Sequence, residues 1–231
     1  MITLDTIRKR KSCRTYADKA VDSGTKENIL SFASTHSKGP FGNRITFHLL
    51  DLDDAGREEI SSLSTYGVIR NARLYLAGLV KKGRGAMEDF GYVMEEVILH
   101  ATSQGLGTCW LGGTFRRSSI AEKLGLGPDQ LLPAITPVGY PADKRSFISR
   151  VMRFGAGSDS RKEWDKLFFS GDFNSPLSAE EAGDLADALE AVRLGPSASN
   201  KQPWRVLKEE TEAVFHLYLK RSRGYDKAGG P

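Results

Sequence analysis

The chain has 231 residues, of which 39% are hydrophobic, and a formal net charge of +4, so it can bury a core in one large domain or two small ones. Its two cysteines, Cys13 and Cys109, form no CxxC pair, which argues against a disulfide framework and a metal site. No apolar run has the length of a signal peptide or a membrane span, so we expect a cytoplasmic protein.

Apolar spacing predicts helices and strands in the first part of the chain. The clearest helix covers residues 87–104, where apolar residues recur every three or four positions and Gly105 caps the end. The strand at 74–80 is continuously apolar, so we expect it to be buried on both faces. Pro137 indicates a sheet edge or a strand end. The other predicted elements are a helix at 25–35, a strand at 45–50, a short helix with a capping-box spacing at 119–122, and a strand at 134–138.

The second part of the chain begins with a segment rich in Gly, Ser and charge at residues 154–174, which we interpret as a crossing segment. A long helix is predicted at 178–194, followed by a hairpin of strands at 204–207 and 214–219. Both parts contain a helix, a Gly-Pro step, a loop with an asparagine and a strand, which indicates a weak internal repeat around Asn43 and Asn200.

A basic cluster near the N-terminus places three cations and a hydroxyl close together, at Arg10, Lys11, Ser12 and Arg14. Such a cluster can offer several charge-assisted hydrogen bonds to one phosphate. Two alternatives stay open for it, a solvated helix end and a nucleic-acid-binding patch. Because the basic run is short, it favours a discrete anion over a nucleic-acid face.

Two further segments are candidates for a ligand site. Residues 196–204 combine small residues, two amides and two prolines, which suits reading the edge of a planar ring, although a simple turn remains an alternative. Residues 105–113 contain four glycines, which let the backbone approach a flat ligand. The pattern GxGxxG is absent and a helix precedes the glycines, so a dinucleotide-binding fold is not indicated. We expect Cys109 to be packed rather than nucleophilic.

Together these segments resemble the nitroreductase superfamily of flavoproteins. The opening motif of that family, Arg-Arg-Ser-x-Arg-x-Tyr/Phe, is similar to residues 10–16, with Lys11 as the one departure. The family motif Pro-Ser-x-x-Asn-x-Gln-Pro-Trp is matched in full by residues 196–204, and its Gly-Leu-Gly-x-x-Trp-x-Gly segment resembles residues 105–113. The resemblance implies an α+β fold, with a mixed sheet flanked by helices around a central helix.

The position of the Pro-Ser motif is a departure from ordinary members, in which it follows soon after the opening motif. Here residues 38–43 occupy that place, and the intact copy lies in the second half. This resembles the subgroup in which two units are fused into a pseudo-dimer, and it implies a first unit at 1–153, the crossing segment at 154–174 and a second unit at 175–231. The ending Gly229-Gly230-Pro231 lies where a further core helix is expected, so the second unit is predicted to be incomplete.

The resemblance also implies an FMN-dependent enzyme that takes a hydride from NAD(P)H and reduces a nitroaromatic, quinone or related acceptor. It names no catalytic acid, base or nucleophile, because the flavin carries the chemistry. The alternatives are a flavin binder or sensor without turnover and, remotely, a nucleic-acid-binding module. A monomeric pseudo-dimer and a homodimer are both compatible with the pattern. The implied FMN-binding residues are Arg10, Lys11, Ser12, Arg14, Leu111, Gly112, Arg161, Pro196, Ser197, Ala198, Asn200 and Gln202.

Overall fold

The computed structural model of the protein describes residues 2–52, 68–113, 115–143, 160–211 and 214–221. The chain forms two units, Met1–Ser149 and Arg150–Pro231. Residues 154–159 of the expected crossing segment and the last ten residues lie outside the described part. The expected division at 153 and 174, and the incompleteness of the second unit, therefore stay predictions.

The described elements of the first unit are, in chain order, α1 Leu4–Lys9, α2 Ser23–Thr35, β1 Ile45–Asp51, β2 Leu74–Lys81, α3 Ala86–Ser103, β3 Gly107–Thr108, α4 Arg117–Lys123, β4 Gln130–Leu131 and β5 Ile135–Gly139. The strands form an antiparallel sheet in the order β1-β2-β5-β3, and β4 pairs with β2 beside this path. Helix α3 is the longest of these elements and packs against both β2 and α2.

The core of the first unit contains the two segments with the clearest apolar patterns, β2 and α3. Every residue of β2 except Lys81 is buried, as its continuous apolar run predicts. The stripe on α3 includes Val93, Met94 and Val97, all at most 1% exposed, and burial of each such side chain contributes about 1.5–3 kcal/mol. Gly105 takes a left-handed φ of 77° and ends α3 as expected.

The described elements of the second unit are, in chain order, a 3₁₀ turn at Trp164–Lys166, β6 Phe168–Ser170, α5 Ala179–Ala182, a 3₁₀ turn at Gly183–Leu185, α6 Ala186–Leu194, a 3₁₀ turn at Ala198–Asn200, β7 Trp204–Lys208 and β8 Phe215–Leu219. The strands form a sheet in the order β6-β7-β8, with β6 parallel to β7 and β7 antiparallel to β8. The hairpin β7–β8 confirms the prediction for residues 204–219.

Three local predictions were wrong. The helix expected over 178–194 is broken into α5 and α6, because Gly183 has a φ of 54°, outside the helical region. Helix α4 begins at Arg117 without a side-chain cap, so the capping box at 119–122 does not form. Pro137 lies in the interior strand β5 and not at a sheet edge. The pairing of β3 with β5 ends at Val138, and the N–H of the residue after β3, Cys109, donates to the Thr136 hydroxyl.

Helices beside mainly antiparallel sheets make this an α+β chain, as the resemblance implies. Each unit contains the order helix, loop, strand, with α2 before β1 and α6 before β7, which fits the weak repeat. The pseudo-dimer itself stays a prediction. In the described part of the chain, no helix combines the length and hydropathy needed to cross a membrane.

Candidate active site

The opening cluster of the first unit is held in place by backbone hydrogen bonds. Helix α1 ends at Lys9, and Arg10 is its C-cap, with its N–H bonded to the carbonyl oxygen of Thr6. The residues that follow pair with the glycine-rich segment 105–113, and the N–H of Cys13 donates to the carbonyl of Thr108 at 2.7 Å. The N–H of Arg70 donates to the carbonyl of Arg14 at 2.9 Å. The cluster is therefore part of the folded framework and not a solvated helix end.

The two arginines of this cluster carry buried N–H groups that have no hydrogen-bond acceptor among the described residues. These atoms are Nη1 of Arg10 and both Nε and Nη1 of Arg14. The Arg10 side chain is only 6% exposed. A buried donor without a partner costs about 1–3 kcal/mol, and more when the group is charged. The arrangement is one that an anion with several oxygen atoms would stabilise.

Glu95 on α3 is the carboxylate that faces the cluster. Its Oε1 lies 3.5 Å from Nε of Arg10, and its Oε2 accepts a hydrogen bond from Nε1 of Trp110 at 2.6 Å. Burial raises the pKa of Glu95, while Arg10 and the Trp110 hydrogen bond act in the opposite direction. Sequence reasoning missed Glu95; the available signal was a carboxylate inside the most apolar helix of the chain.

Ser12, Thr108 and Cys109 complete the polar surroundings of the arginines. The Cys109 thiol interacts with the Ser12 side chain and with the charge of Arg14, yet burial dominates and raises the pKa of Cys109. The thiol is therefore packed and protonated, as expected for a non-nucleophilic cysteine. The buried Thr108 hydroxyl has no hydrogen-bond partner within the described ranges. Lys11 is exposed on the same segment.

Leu111 and Gly112 lie on the chain segment that follows β3. Leu111 exchanges backbone hydrogen bonds with Ile135 at 2.9 and 3.0 Å, and its side chain is 2% exposed, in the core. The backbone and the side chain of Leu111 are thus both engaged within the protein, and the residue anchors this segment. Gly112 is exposed, and among the described residues a Cβ there would meet only the carbonyl oxygen of Pro133, at 3.9 Å.

The Pro-Ser loop, residues 195–203 of the second unit, has an unusual backbone. Ser199, Asn200 and Gln202 have φ values of 50°, 52° and 47°, a region that costs non-glycine residues about 1–3 kcal/mol each. The conformation is held from within, because the Ser197 hydroxyl accepts from the N–H of Gln202 at 2.9 Å. Such strain is concentrated at functional sites, so the loop is a candidate for a binding role.

The segment 160–162 packs against this loop and forms hydrogen bonds with two of its side chains. The Asn200 amide donates to the carbonyl of Ser160 at 3.1 Å, and the Gln202 amide oxygen accepts from the N–H of Lys162 at 2.8 Å. Arg161 donates to the carbonyl of Leu194 at 3.1 Å, so it lies beside the loop within the second unit. Pro196 is half-buried and Ala198 is exposed.

The structure therefore groups the expected FMN-binding residues into two sets, each within its own unit. In the first unit, Arg10 and Arg14 carry the donors that lack an acceptor among the described residues, and Ser12 interacts with the thiol of Cys109. Leu111 and Gly112 lie on the neighbouring segment. Arg161 and the Pro-Ser loop form the second set.

Comparison with known families gives a match that covers nearly the whole chain. The model of the family described as "Putative TM nitroreductase" matches residues 3–224. The chain belongs to this nitroreductase family. It is accordingly an oxidoreductase of the nitroreductase type.

Individual relatives agree with this assignment. A protein of Archaeoglobus fulgidus named "Putative NADH dehydrogenase/NAD(P)H nitroreductase" is 27% identical over 171 residues, which cover 67% of this chain and 94% of the relative. A nitroreductase structure from Thermotoga maritima has a TM-score of 0.60 at 20% identity, covering 96% of this chain and 77% of the other. An "FMN-dependent Nitroreductase" from Clostridium difficile has a TM-score of 0.50 at 21% identity, covering 62% and 90%. The two structures support the nitroreductase fold.

Proposed function

We propose that this nitroreductase binds FMN and passes a hydride from NAD(P)H to a nitroaromatic, quinone or related acceptor. The observation that carries the proposal is the set of buried N–H groups on Arg10 and Arg14 that have no acceptor in the described part of the chain. The phosphate of FMN has the charge and the number of oxygen atoms to pair with them. The names of the Archaeoglobus and Clostridium difficile proteins support the choice of NAD(P)H and FMN.

Each group of residues has a binding role in this proposal. Arg10, Ser12 and Arg14 hold the phosphate, and exposed Lys11 adds positive charge nearby. The segment of Leu111 and Gly112 lies beside the flavin ring, with exposed Gly112 as the point of approach and buried Leu111 as the anchor of the segment. When bound, FMN supplies the hydride chemistry, and the protein supplies position and electrostatics.

The second unit contributes a pre-shaped loop to the same proposal. The loop residues Pro196, Ser197, Ala198, Asn200 and Gln202 border the isoalloxazine ring and the ribityl chain. Because Ser197, Asn200 and Gln202 already make intrachain hydrogen bonds, they act mainly by fixing the shape of the loop. Arg161, at one edge of the loop, is a further partner for the phosphate.

The visible spectrum of the purified protein tests the function directly. We expect bound flavin to give the protein a yellow colour that bleaches when NAD(P)H is added without oxygen. The colour should return when a quinone or nitroaromatic compound is then added. A colourless protein that cannot be loaded with FMN would refute the proposal. Colour that persists with both nicotinamide donors would assign the chain as a flavin binder without turnover.

Flavin stoichiometry tests the pseudo-dimer separately. The apoprotein is titrated with FMN while its mass is measured by light scattering. One FMN per monomeric chain is expected, because the intact Pro-Ser motif occurs once. Binding that requires two chains would show that the site is shared between copies, and two equivalent flavins per chain would contradict the loss of one site.

A further inference from the structure

Four cations of the second unit come together at one end of the β7–β8 hairpin. We call Lys162, Lys201, Arg205 and Lys220 the cationic cluster. They belong to four separate segments: the stretch before β6, the Pro-Ser loop, strand β7 and the end of β8. The N–H of Lys220 bonds the carbonyl oxygen of Pro203 at 2.6 Å, which places the end of β8 against the loop.

Backbone carbonyl groups hold two of these cations close together. Nζ of Lys162 donates to the carbonyl oxygens of Lys201 and Gln202, at 2.8 and 3.3 Å. Nη1 of Arg205 donates to the same Gln202 oxygen at 3.2 Å. The two charges thus share one acceptor on the strained loop.

The cluster is electrostatically unfavourable as it stands. Burial lowers the pKa of Lys162, and the charges of Arg205, Lys220 and Lys201 lower it further. In the described ranges, no member forms an ion pair with a carboxylate. By contrast, other cations of this unit do, with Arg193 on Glu190 at 2.6 Å and Lys166 on Asp165 at 3.0 Å. Positive charge gathered without counter-charge focuses an attractive field on anions.

We propose that the cationic cluster binds the 2′-phosphate of NADPH, so that the enzyme prefers NADPH to NADH. This inference rests on the proposed function, which requires a nicotinamide dinucleotide to reach a flavin bordered by the Pro-Ser loop. A 2′-phosphate is a monoester of roughly −1.5 to −2 charge, and NADH lacks it. Basic side chains are the usual partners of that group. Lys201 and Lys220 supply the free charges, because no side-chain bond within the described ranges engages them.

The test uses the double variant K201A/K220A of the full chain. The two substitutions remove no side-chain hydrogen bond that the structure describes, so the variant is expected to fold. KM for NADPH is expected to rise about tenfold, the equivalent of one charge-assisted bond, with kcat unchanged. KM for NADH should change less than about twofold, because NADH has no 2′-phosphate. Lys166→Ala is the matched control, an exposed lysine of the same unit that is paired with Asp165, and it should alter neither KM.

A second measurement separates failure of this inference from failure of the proposed function. Calorimetry measures binding of adenosine 2′,5′-bisphosphate, which carries the 2′-phosphate and needs no flavin. Wild-type protein and Lys166→Ala should bind it, and K201A/K220A should bind it about tenfold more weakly. The inference is overturned if the double variant binds it as well as wild type does, or if KM rises equally for NADH and NADPH. A protein that takes up no FMN yet binds the bisphosphate through these lysines refutes only the proposed function.

Discussion

Arg14→Ala is the most direct test of how the first unit recognises phosphate. Arg14 contributes two buried N–H donors, Nε and Nη1, that have no acceptor among the described residues. Each charge-assisted hydrogen bond to a phosphate oxygen contributes about 1.5–3 kcal/mol. Loss of one bond weakens FMN binding about tenfold or more, and loss of both weakens it about 10²-fold or more. We therefore expect the dissociation constant of FMN to rise about 10²-fold.

Riboflavin provides the discriminating ligand for this experiment, because it has the ring and the ribityl chain of FMN without the phosphate. Fluorescence titration of the apoprotein should show that Arg14→Ala weakens FMN strongly and riboflavin little. Arg73→Ala is the matched control, since Arg73 pairs with Asp18 at 2.7 Å on the surface of the same unit. Unchanged FMN affinity in Arg14→Ala would refute the reasoning, and an equal loss for both flavins would indicate general damage to the site.

The stability of the Arg14→Ala apoprotein carries a prediction of opposite sign. The substitution removes a charged group whose buried donors have no acceptor within the described ranges, and such donors destabilise the folded state. Urea unfolding should therefore give the variant at least the stability of wild type. A clear loss of stability would mean that the guanidinium is already paired within the protein, which would contradict the role of Arg14 as a phosphate ligand.

Two further predictions concern the loop at residues 38–43 and its counterpart in the second unit. Asn200→Ala should weaken FMN binding in the same titration, whereas Asn43→Ala should leave it unchanged and cost about 1–2 kcal/mol in urea unfolding, because the Asn43 amide bonds the carboxylate of Asp89 at 2.8 Å. The reverse pattern would assign the flavin to the first loop. Although burial opposes it, hydrogen bonds from Phe41 and Asn43 hold the pKa of Asp89 below its ordinary value of 3.8, so its ionised form stabilises the fold above that pH. The stability advantage of wild type over Asp89→Asn should accordingly be full near pH 7 and shrink as the pH falls below 3.8, and an advantage that grows in acid would contradict this account.

The sequence predicted those helices and strands whose apolar pattern lies within one continuous segment. The period of α3, the apolar run of β2 and the hairpin β7–β8 are each encoded in consecutive residues. Two of the errors arose at residues that fit more than one local structure. Gly183 is tolerated inside a helix but takes a φ of 54°, and Pro137 suits a sheet edge but lies in an interior strand.

The residue types of the candidate site were also readable, because motifs of small residues, cations and amides are contiguous in the chain. What those motifs lacked was their partners. Glu95 faces Arg10 across a long sequence separation, and Asp89 engages the loop around Asn43 in the same way. A sequence lists such residues without indicating which of them meet.

By itself, then, the sequence indicated the α+β class and the nitroreductase resemblance, and it proposed residues for FMN binding, since these depend on local spacing and short motifs. Only the tertiary structure decided that N–H donors of Arg10 and Arg14 are buried without an acceptor among the described residues. It alone also brought Lys162 and Arg205 onto one carbonyl oxygen. The physical reason is that burial and electrostatic coupling depend on distances between segments remote in the chain, which local patterns do not encode.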